Sequence, residues 1–164
     1  MANMCYNFVT CTGSAANITK FKKVLQDGIE HMRTFHEATS LGVDIQEGYF
    51  FDVYINDQEK PTELVFTYET KWAPNLKDLA NVAKNAKLDM VCEYNECGVS
   101  LYGKATIDKH GFVNDDEVSG EFINLIEYNN KTGYYEYDGI EYETEGDIID
   151  EHYENWKFLN PQNS

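Results

Sequence analysis

The sequence predicts an α+β fold in which two amphipathic helices are interleaved with the strands of one sheet. Two observations predict it. In two segments apolar residues recur every three or four positions, and the flanking segments alternate apolar with polar residues or are rich in aromatic and β-branched residues. A chain of 164 residues, 42% of them hydrophobic, is long enough for one domain with one apolar core. We therefore expect a single domain over 1–164, with a core at 1–108 and an acidic C-terminal extension at 109–164 packed on it.

The first predicted elements are a strand, a helix and a hairpin. "CYNFVTCTG" alternates and ends at Gly13, and from Ile18 to His36 the apolar residues follow the period of an amphipathic helix. "YFFDVYI", at 49–55, has the composition of a strand, and "NDQEKP" has that of a turn. The next strand pattern, at 62–72, should therefore pair with 49–55 as a hairpin.

Pro74 marks the change from a strand to a second helix. Proline suits the first turn of a helix, where its missing N–H costs nothing, and the apolar stripe that follows ends near Lys87. Residues 88–95 and 99–108 are typical of two further strands, with Gly103 a candidate for a bulge. The resulting order βαββαβ is that of a ferredoxin-like core, whose antiparallel sheet carries both helices on one face.

Beyond residue 110 the pattern predicts extra strands and a short C-terminal helix. "EFINLIEYNN" and "GYYEYDGIEYET" are typical of short strands, separated by the turn sequence "NKTG". "GDIIDEHYENWKFL" predicts a helix with Ile148, Ile149, Tyr153 and Trp156 on one side.

The ferredoxin-like topology brings together the start of the first strand and the ends of the third and fourth. Cys5, Trp72, Glu93 and Glu96 should therefore lie near one another, where they could line a pocket of a small-ligand or metal-assisted enzyme. Trp72 itself is expected to pack over the end of the sheet near Met4 and Cys5. This pocket is the alternative to the binding face described below.

The net charge of −16 excludes several classes of partner. Residues 115–154 contain 14 acidic residues and one lysine. Such a surface repels nucleic-acid phosphates and anionic lipids and attracts basic proteins, so we expect no direct nucleic-acid binding and no membrane association. No apolar run approaches the roughly 18 residues of a membrane span, and no secretory signal is recognisable. We expect a cytoplasmic protein whose four cysteines are free thiols.

The acids of the C-terminal third could form a binding face. On a strand, alternating glutamates share one face about 6.7 Å apart. That spacing gives about half the linear charge density of a DNA strand, so a DNA mimic would need a second row of acids. Acidic residues at spacings of three and four positions on the last helix could supply this row. The predicted acidic face comprises Glu136, Asp138, Glu141, Glu143, Glu145, Asp147, Asp150, Glu151 and Glu154. The alternative is that these acids only keep the protein soluble.

No motif of catalysis or metal binding is recognisable. Cys5 and Cys11 would lie about 20 Å apart on one strand face, too far to share an ion. His31 and His36 are five residues apart, whereas a helical metal pair needs a spacing of three or four. We therefore predict no catalytic residue, no metal and no cofactor, and the sequence does not indicate the oligomeric state.

Two short motifs carry a resemblance to a known family. One is Asn3-Met4-Cys5-Tyr6-Asn7, where the family has Asn-Trp-Cys-x-Asn, and the other is Thr70-Lys71-Trp72-Ala73-Pro74, which matches Thr-x-Trp-x-Pro. Over residues 3–104 the chain resembles the YubB-like family of ferredoxin-like domains, common in plasmid and phage proteins. The resemblance implies the fold and a mobile-element setting, but no activity. We therefore predict a non-enzymatic binding protein of phage or plasmid type, which engages a basic protein through its acidic face as a DNA mimic or anti-defence inhibitor.

Overall fold

The structure, a computed structural model, describes residues 3–56 and 60–160. Residues 57–59, in the middle of the predicted turn "NDQEKP", lie outside the described residues. The contacts divide the chain into two compact units, Met1–Glu117 and Val118–Ser164. The expectation that the whole chain acts as one domain stays a prediction.

The first unit contains a six-stranded antiparallel sheet and two helices in its described residues. The strand order is β2-β3-β1-β4-β5-β6. The inner order β2-β3-β1-β4 is the predicted ferredoxin-like core, which β5 and β6 extend on one side. The elements are β1 (Met4–Thr12), α1 (Ala15–Phe35), β2 (Phe51–Asn56), β3 (Glu63–Lys71), α2 (Leu76–Ala86), β4 (Asp89–Glu96), β5 (Leu101–Ile107) and β6 (Val113–Glu117).

Local sequence signals set the ends of the two helices. The Ser14 side chain accepts a hydrogen bond from the backbone N–H of Asn17 and caps the N-terminus of α1. Both helices end at a residue in the left-handed conformation, His36 after α1 and Lys87 after α2. Their apolar faces cover one face of the sheet, where fully buried residues such as Val9 and Phe66 form the core. The predicted α+β architecture is therefore confirmed.

Two details of the first unit differ from the sequence predictions. Residues 113–117 form β6, which was not predicted because "VNDDE" lacks the aromatic and β-branched residues typical of strands. The boundary of the ferredoxin-like sheet therefore lies beyond residue 108. Gly103 is not at a bulge, since the register of β4 and β5 is continuous through it. The irregularity lies in β2 between Phe51 and Tyr54, where Asp52 has φ 45°.

Over its described residues, 118–160, the second unit combines a three-stranded antiparallel sheet with two helices. Its elements are α3 (Gly120–Ile123), β7 (Glu127–Asn129), β8 (Tyr134–Tyr137), β9 (Ile140–Tyr142) and α4 (Glu145–Leu159). The strand expected over 121–130 is wrong in its first half, because Ser119 caps a single helical turn there. Phe122 from this turn is fully buried, and the rings of Tyr137, Tyr153 and Trp156 lie within 5.3–5.5 Å of it.

Helix α4 follows the last hairpin of the second unit. Asp138 and Gly139 have φ of 50° and 78°, as a two-residue hairpin turn requires. Thr144 and Asp147 then form a capping box that starts α4. The predicted inner side of this helix is confirmed, since Ile148 and Tyr153 are buried. Among the described residues, no helix combines the length and the apolar character needed to cross a membrane.

Candidate functional site

The sheet of the second unit carries three glutamates in register. Glu136 on β8 lies directly opposite Glu127 on β7 and directly opposite Glu141 on β9. Residues that are paired in this way share one face, with side chains about 5 Å apart. We call Glu127, Glu136 and Glu141 the glutamate ladder. It concentrates three negative charges over the width of three strands.

The opposite face of the same sheet is built from tyrosines. Tyr135 lies opposite both Tyr128 and Tyr142, in the same register as the ladder but on the other face. The Tyr142 hydroxyl is 2.7 Å from Nε2 of His152 on α4, and the Tyr137 ring is 4.9 Å from the His152 ring. These contacts place α4 against the tyrosine face, so the glutamate ladder points away from α4.

A second acidic surface runs along α4. Asp147, Asp150, Glu151 and Glu154 are all exposed and recur at helical spacing on one side, and we call them the helix strip. The buried residues of α4 lie on the opposite side of the helix, toward the sheet. The helix strip and the glutamate ladder therefore face in opposite directions within this unit.

The single acidic face predicted from the sequence needs three corrections. Strand β9 ends at Tyr142, so Glu143 and Glu145 do not continue a strand row from Glu141. Glu145 begins α4 and is buried, and it is not part of an exposed surface. Asp138 lies in the hairpin turn, beyond the end of β8.

Other members of the predicted face have local structural roles. The carboxylate of Asp147 accepts hydrogen bonds from the backbone N–H and the hydroxyl of Thr144, so it caps α4. The Glu151 carboxylate lies 3.6 Å from His152 Nε2, and the Glu154 carboxylate lies 3.4 Å from Lys157 Nζ.

Of the predicted strand residues, the structure brings Glu136 and Glu141 together. Their partner Glu127 was missed, because only the register of β7 against β8 shows that it belongs with them.

The second predicted site, at the sheet end, is assembled only in part. Met4 lies opposite Lys71, and Tyr6 lies opposite Asn95, so the starts and ends of the strands meet as the topology predicts. Cys5 and Glu96 are buried at this end. Glu93, however, lies on the other face of β4, where its carboxylate is 2.9 Å from Lys104 Nζ. The predicted set of four residues therefore does not line one pocket.

Trp72 does not pack over the end of the sheet as expected. Its side chain is 54% exposed, and its backbone has φ 72°, an unfavourable conformation for a residue with a large side chain. Its backbone N–H donates to the carbonyl oxygen of Asn3, which fixes the chain at the point where β3 ends.

The buried groups at this sheet end are poorly suited to nucleophilic catalysis. Burial, with smaller contributions from the nearby charges of Glu96 and Cys97, raises the pKa of the Cys5 thiol to about 11, although a hydrogen bond with Thr70 opposes the shift. The neutral thiol is a weak nucleophile. One carboxylate oxygen of Glu96, Oε2, is buried without a hydrogen-bond partner in the described residues. Across residues 3–56 and 60–160, no group of three or more His, Cys, Asp or Glu side chains is arranged to hold a metal ion.

Comparison with known families identifies the domain. The family model described as the ferredoxin-like domain in Api92-like protein matches residues 50–138, which is more than half of the chain. The chain belongs to this family. The match begins just before β2 and ends in the turn after β8, so the family region contains Glu127 and Glu136 of the ladder. The comparison with curated proteins and the comparison with solved structures gave no match. Family membership thus supports the fold and carries no activity with it.

Proposed function

We propose that this protein is a non-enzymatic binding protein that engages a basic protein surface through its second unit. The glutamate ladder is the observation that carries the proposal. Like charges placed directly opposite one another destabilise a sheet, and Glu136 faces such a neighbour on both sides. A cationic partner would reduce this repulsion on binding. The ladder should therefore bind a basic surface more favourably than a neutral or acidic one.

The surroundings of the ladder fit an arginine-rich partner. Residues 118–164 contain 11 acidic residues and two lysines, so this unit carries a net negative charge that attracts cations. Tyr134 shares the ladder face and is 42% exposed. A tyrosine ring beside carboxylates can receive a guanidinium by a cation–π contact while the carboxylates accept its N–H groups.

The finer proposal is that the protein acts as a DNA mimic of phage or plasmid origin. The origin is implied by the YubB-like motifs, and the mimicry by the two acidic surfaces. Because the ladder and the helix strip face in opposite directions, they suit a partner that encloses the unit, as a nucleic-acid-binding protein encloses its ligand. A flat partner would contact only one of them.

The experiment is capture of partners from a host-cell lysate on the immobilised full chain, at low and at raised salt. The ladder variant carries Glu127→Gln, Glu136→Gln and Glu141→Gln. Its matched control carries Asp27→Asn, Glu30→Gln and Asp44→Asn, three exposed acids of the first unit, so both variants have the same net charge. We expect a basic protein that the wild type and the control retain and the ladder variant loses.

Two results would count against these proposals. Equal retention by all three proteins would remove the ladder as the binding surface. Duplex DNA added in excess should displace the partner if the protein mimics DNA; failure of DNA to compete would remove the mimicry and leave the basic partner in place.

A further inference from the structure

A cavity of about 480 Å³ lies beside the junction of β3 and α2 in the first unit. It is distinct from the predicted pocket, since none of Cys5, Glu93 and Glu96 lines it. Its walls include Glu47, Tyr49, Phe51, Lys71, Pro74 and Asn75. Small-molecule sites in proteins commonly have volumes of roughly 300–1,000 Å³, so this cavity is large enough for a compact ligand.

Buried polar groups hold the walls of the cavity in place. The Asp78 carboxylate, fully buried, accepts hydrogen bonds from the backbone N–H groups of residues 46–48 at 2.7–3.0 Å. Asn75, also buried, accepts a hydrogen bond from the Tyr68 hydroxyl and donates one to the carbonyl of Gly48. The loop before β2 and the segment before α2 are therefore fixed to each other. Such preorganisation lowers the entropic cost of binding a ligand.

Of the two charged side chains that line the cavity in the described residues, Glu47 is paired and Lys71 is available to bind an anion. The Glu47 carboxylate is already engaged, because it accepts from the backbone N–H of Lys77 at 2.9 Å and lies 2.8 Å from the Lys77 ammonium. The ammonium of Lys71 lies 5.3 Å from the centre of the Phe51 ring, a cation–π contact that positions it. In the parts of the chain that the structure describes, no carboxylate lies within 4 Å of it.

The apolar part of the walls consists of flat or rigid side chains. Tyr49 is 51% exposed, and the described residues offer its hydroxyl no hydrogen-bond partner. Phe51 and Pro74 complete a surface that suits a planar ring. Trp72, whose strained backbone has φ 72°, lies between the lining residues Lys71 and Ala73. Backbone strain of this kind recurs at ligand sites, where the surrounding structure maintains it.

From these contacts we propose that the cavity binds a small aromatic carboxylate, with its ring against Tyr49, Phe51 and Pro74 and its carboxylate on the Lys71 ammonium. The Tyr49 hydroxyl, which has no hydrogen-bond partner in the described residues, is the second donor that we assign to this carboxylate. A monoanion fits better than a phosphate, because the described lining residues offer one cation, Lys71, and a doubly charged phosphate would keep one charge without a partner. This site belongs to the first unit and is independent of the glutamate ladder.

The test is titration of the full chain with benzoate and with benzamide, its neutral counterpart, followed by backbone amide chemical shifts. We expect benzoate to shift the amides of Gly48, Tyr49 and Lys71, and to bind about tenfold more tightly than benzamide, the gain typical of a charged hydrogen bond. Lys71→Met should remove this difference. Lys20→Met, which removes an exposed lysine of α1, should preserve it.

A further variant separates the two polar contacts. Tyr49→Phe keeps the ring and removes the hydroxyl, so benzoate should bind several-fold more weakly with the same amides shifted. Because Lys71 and Tyr49 are exposed, both variants should fold, and their dispersed amide spectra will show it. Absence of shifts at the cavity with either probe would overturn the proposal, as would equal affinities of benzoate and benzamide for the wild type.

Discussion

Burial determines the chemistry of the cysteine side chains. Cys5, Cys11 and Cys92 are fully buried, and Cys97 is exposed. Desolvation raises the pKa of all three buried thiols, to about 11 for Cys5 and further for the other two. These thiols therefore pack as small apolar groups, in agreement with the prediction that the cysteines are free.

The raised thiol pKa values predict a loss of stability in alkali. In the unfolded chain the thiols ionise near pH 9, whereas in the folded protein they stay protonated to about pH 11 or above. Between these limits the unfolded state binds fewer protons, so the free energy of unfolding should fall as the pH rises above about 9. Urea unfolding in reducing buffer at pH 8 and pH 10 will measure this fall in the free energy of unfolding. Cys97→Ser should leave most of the fall intact, because burial is the largest cause of the raised Cys5 pKa and the charge of Cys97 is the smallest. Equal stability at both pH values would contradict the assignment.

Gly103 is required by the ring packed against it. A Cβ at this position would overlap the Tyr94 ring, whose hydroxyl donates to the Asp115 carboxylate at 2.8 Å. Gly103→Ala should therefore lower the free energy of unfolding by about 2 kcal/mol, as overpacking of a core does. Gly48→Ala is the control, since a Cβ there meets open space. Urea unfolding of the two variants compares them, and equal stability would show that Tyr94 moves aside without cost.

The glutamate ladder should lower the stability of the second unit, and it is also the surface that we propose for binding. Glu136 has a glutamate opposite it on each side, so Glu136→Gln should stabilise the second unit by about 1 kcal/mol at low salt. The gain should shrink as salt screens the repulsion. Glu143→Gln, an exposed glutamate beyond the end of β9, should change stability much less. Thermal unfolding at two salt concentrations will test this, and destabilisation by Glu136→Gln would mean that the ladder is not repulsive.

The elements with strong local patterns could be predicted from the sequence, and the others depend on tertiary pairing. Helix α1 has a capping serine and a long apolar stripe, so its limits were predicted within about three residues. Strand β6 is acidic, and it forms because its backbone pairs with the edge strand β5. The single turn α3 was predicted as strand because Phe122 and its apolar neighbours fit both periods.

The chain combines a ferredoxin-like unit with a small acidic one. The concentration of acids in the C-terminal third was visible in the sequence, but their arrangement was not. Helical spacing was sufficient to place the helix strip, since all its members lie within α4. The ladder depends on the register of three short strands, which single-sequence patterns do not determine.

The same limit applies to the predicted pocket. Topology correctly brought the ends of β1, β3 and β4 together. Successive side chains of β4, however, point to alternate faces of the sheet, so Glu93 and Glu96 lie on opposite faces. The cavity beside Lys71 was not predicted, because it depends on the loop that Asp78 holds against α2.

The glutamate ladder is the surface that we propose binds a basic protein. The most direct test is the dissociation constant of the captured partner for the wild type, the ladder variant and the control variant, at low and raised salt. We predict that the ladder variant binds at least about tenfold more weakly at low salt, that this difference narrows as salt rises, and that the control binds nearly as the wild type does. Equal weakening in the ladder and control variants would contradict the claim, because it would show that only the net charge matters.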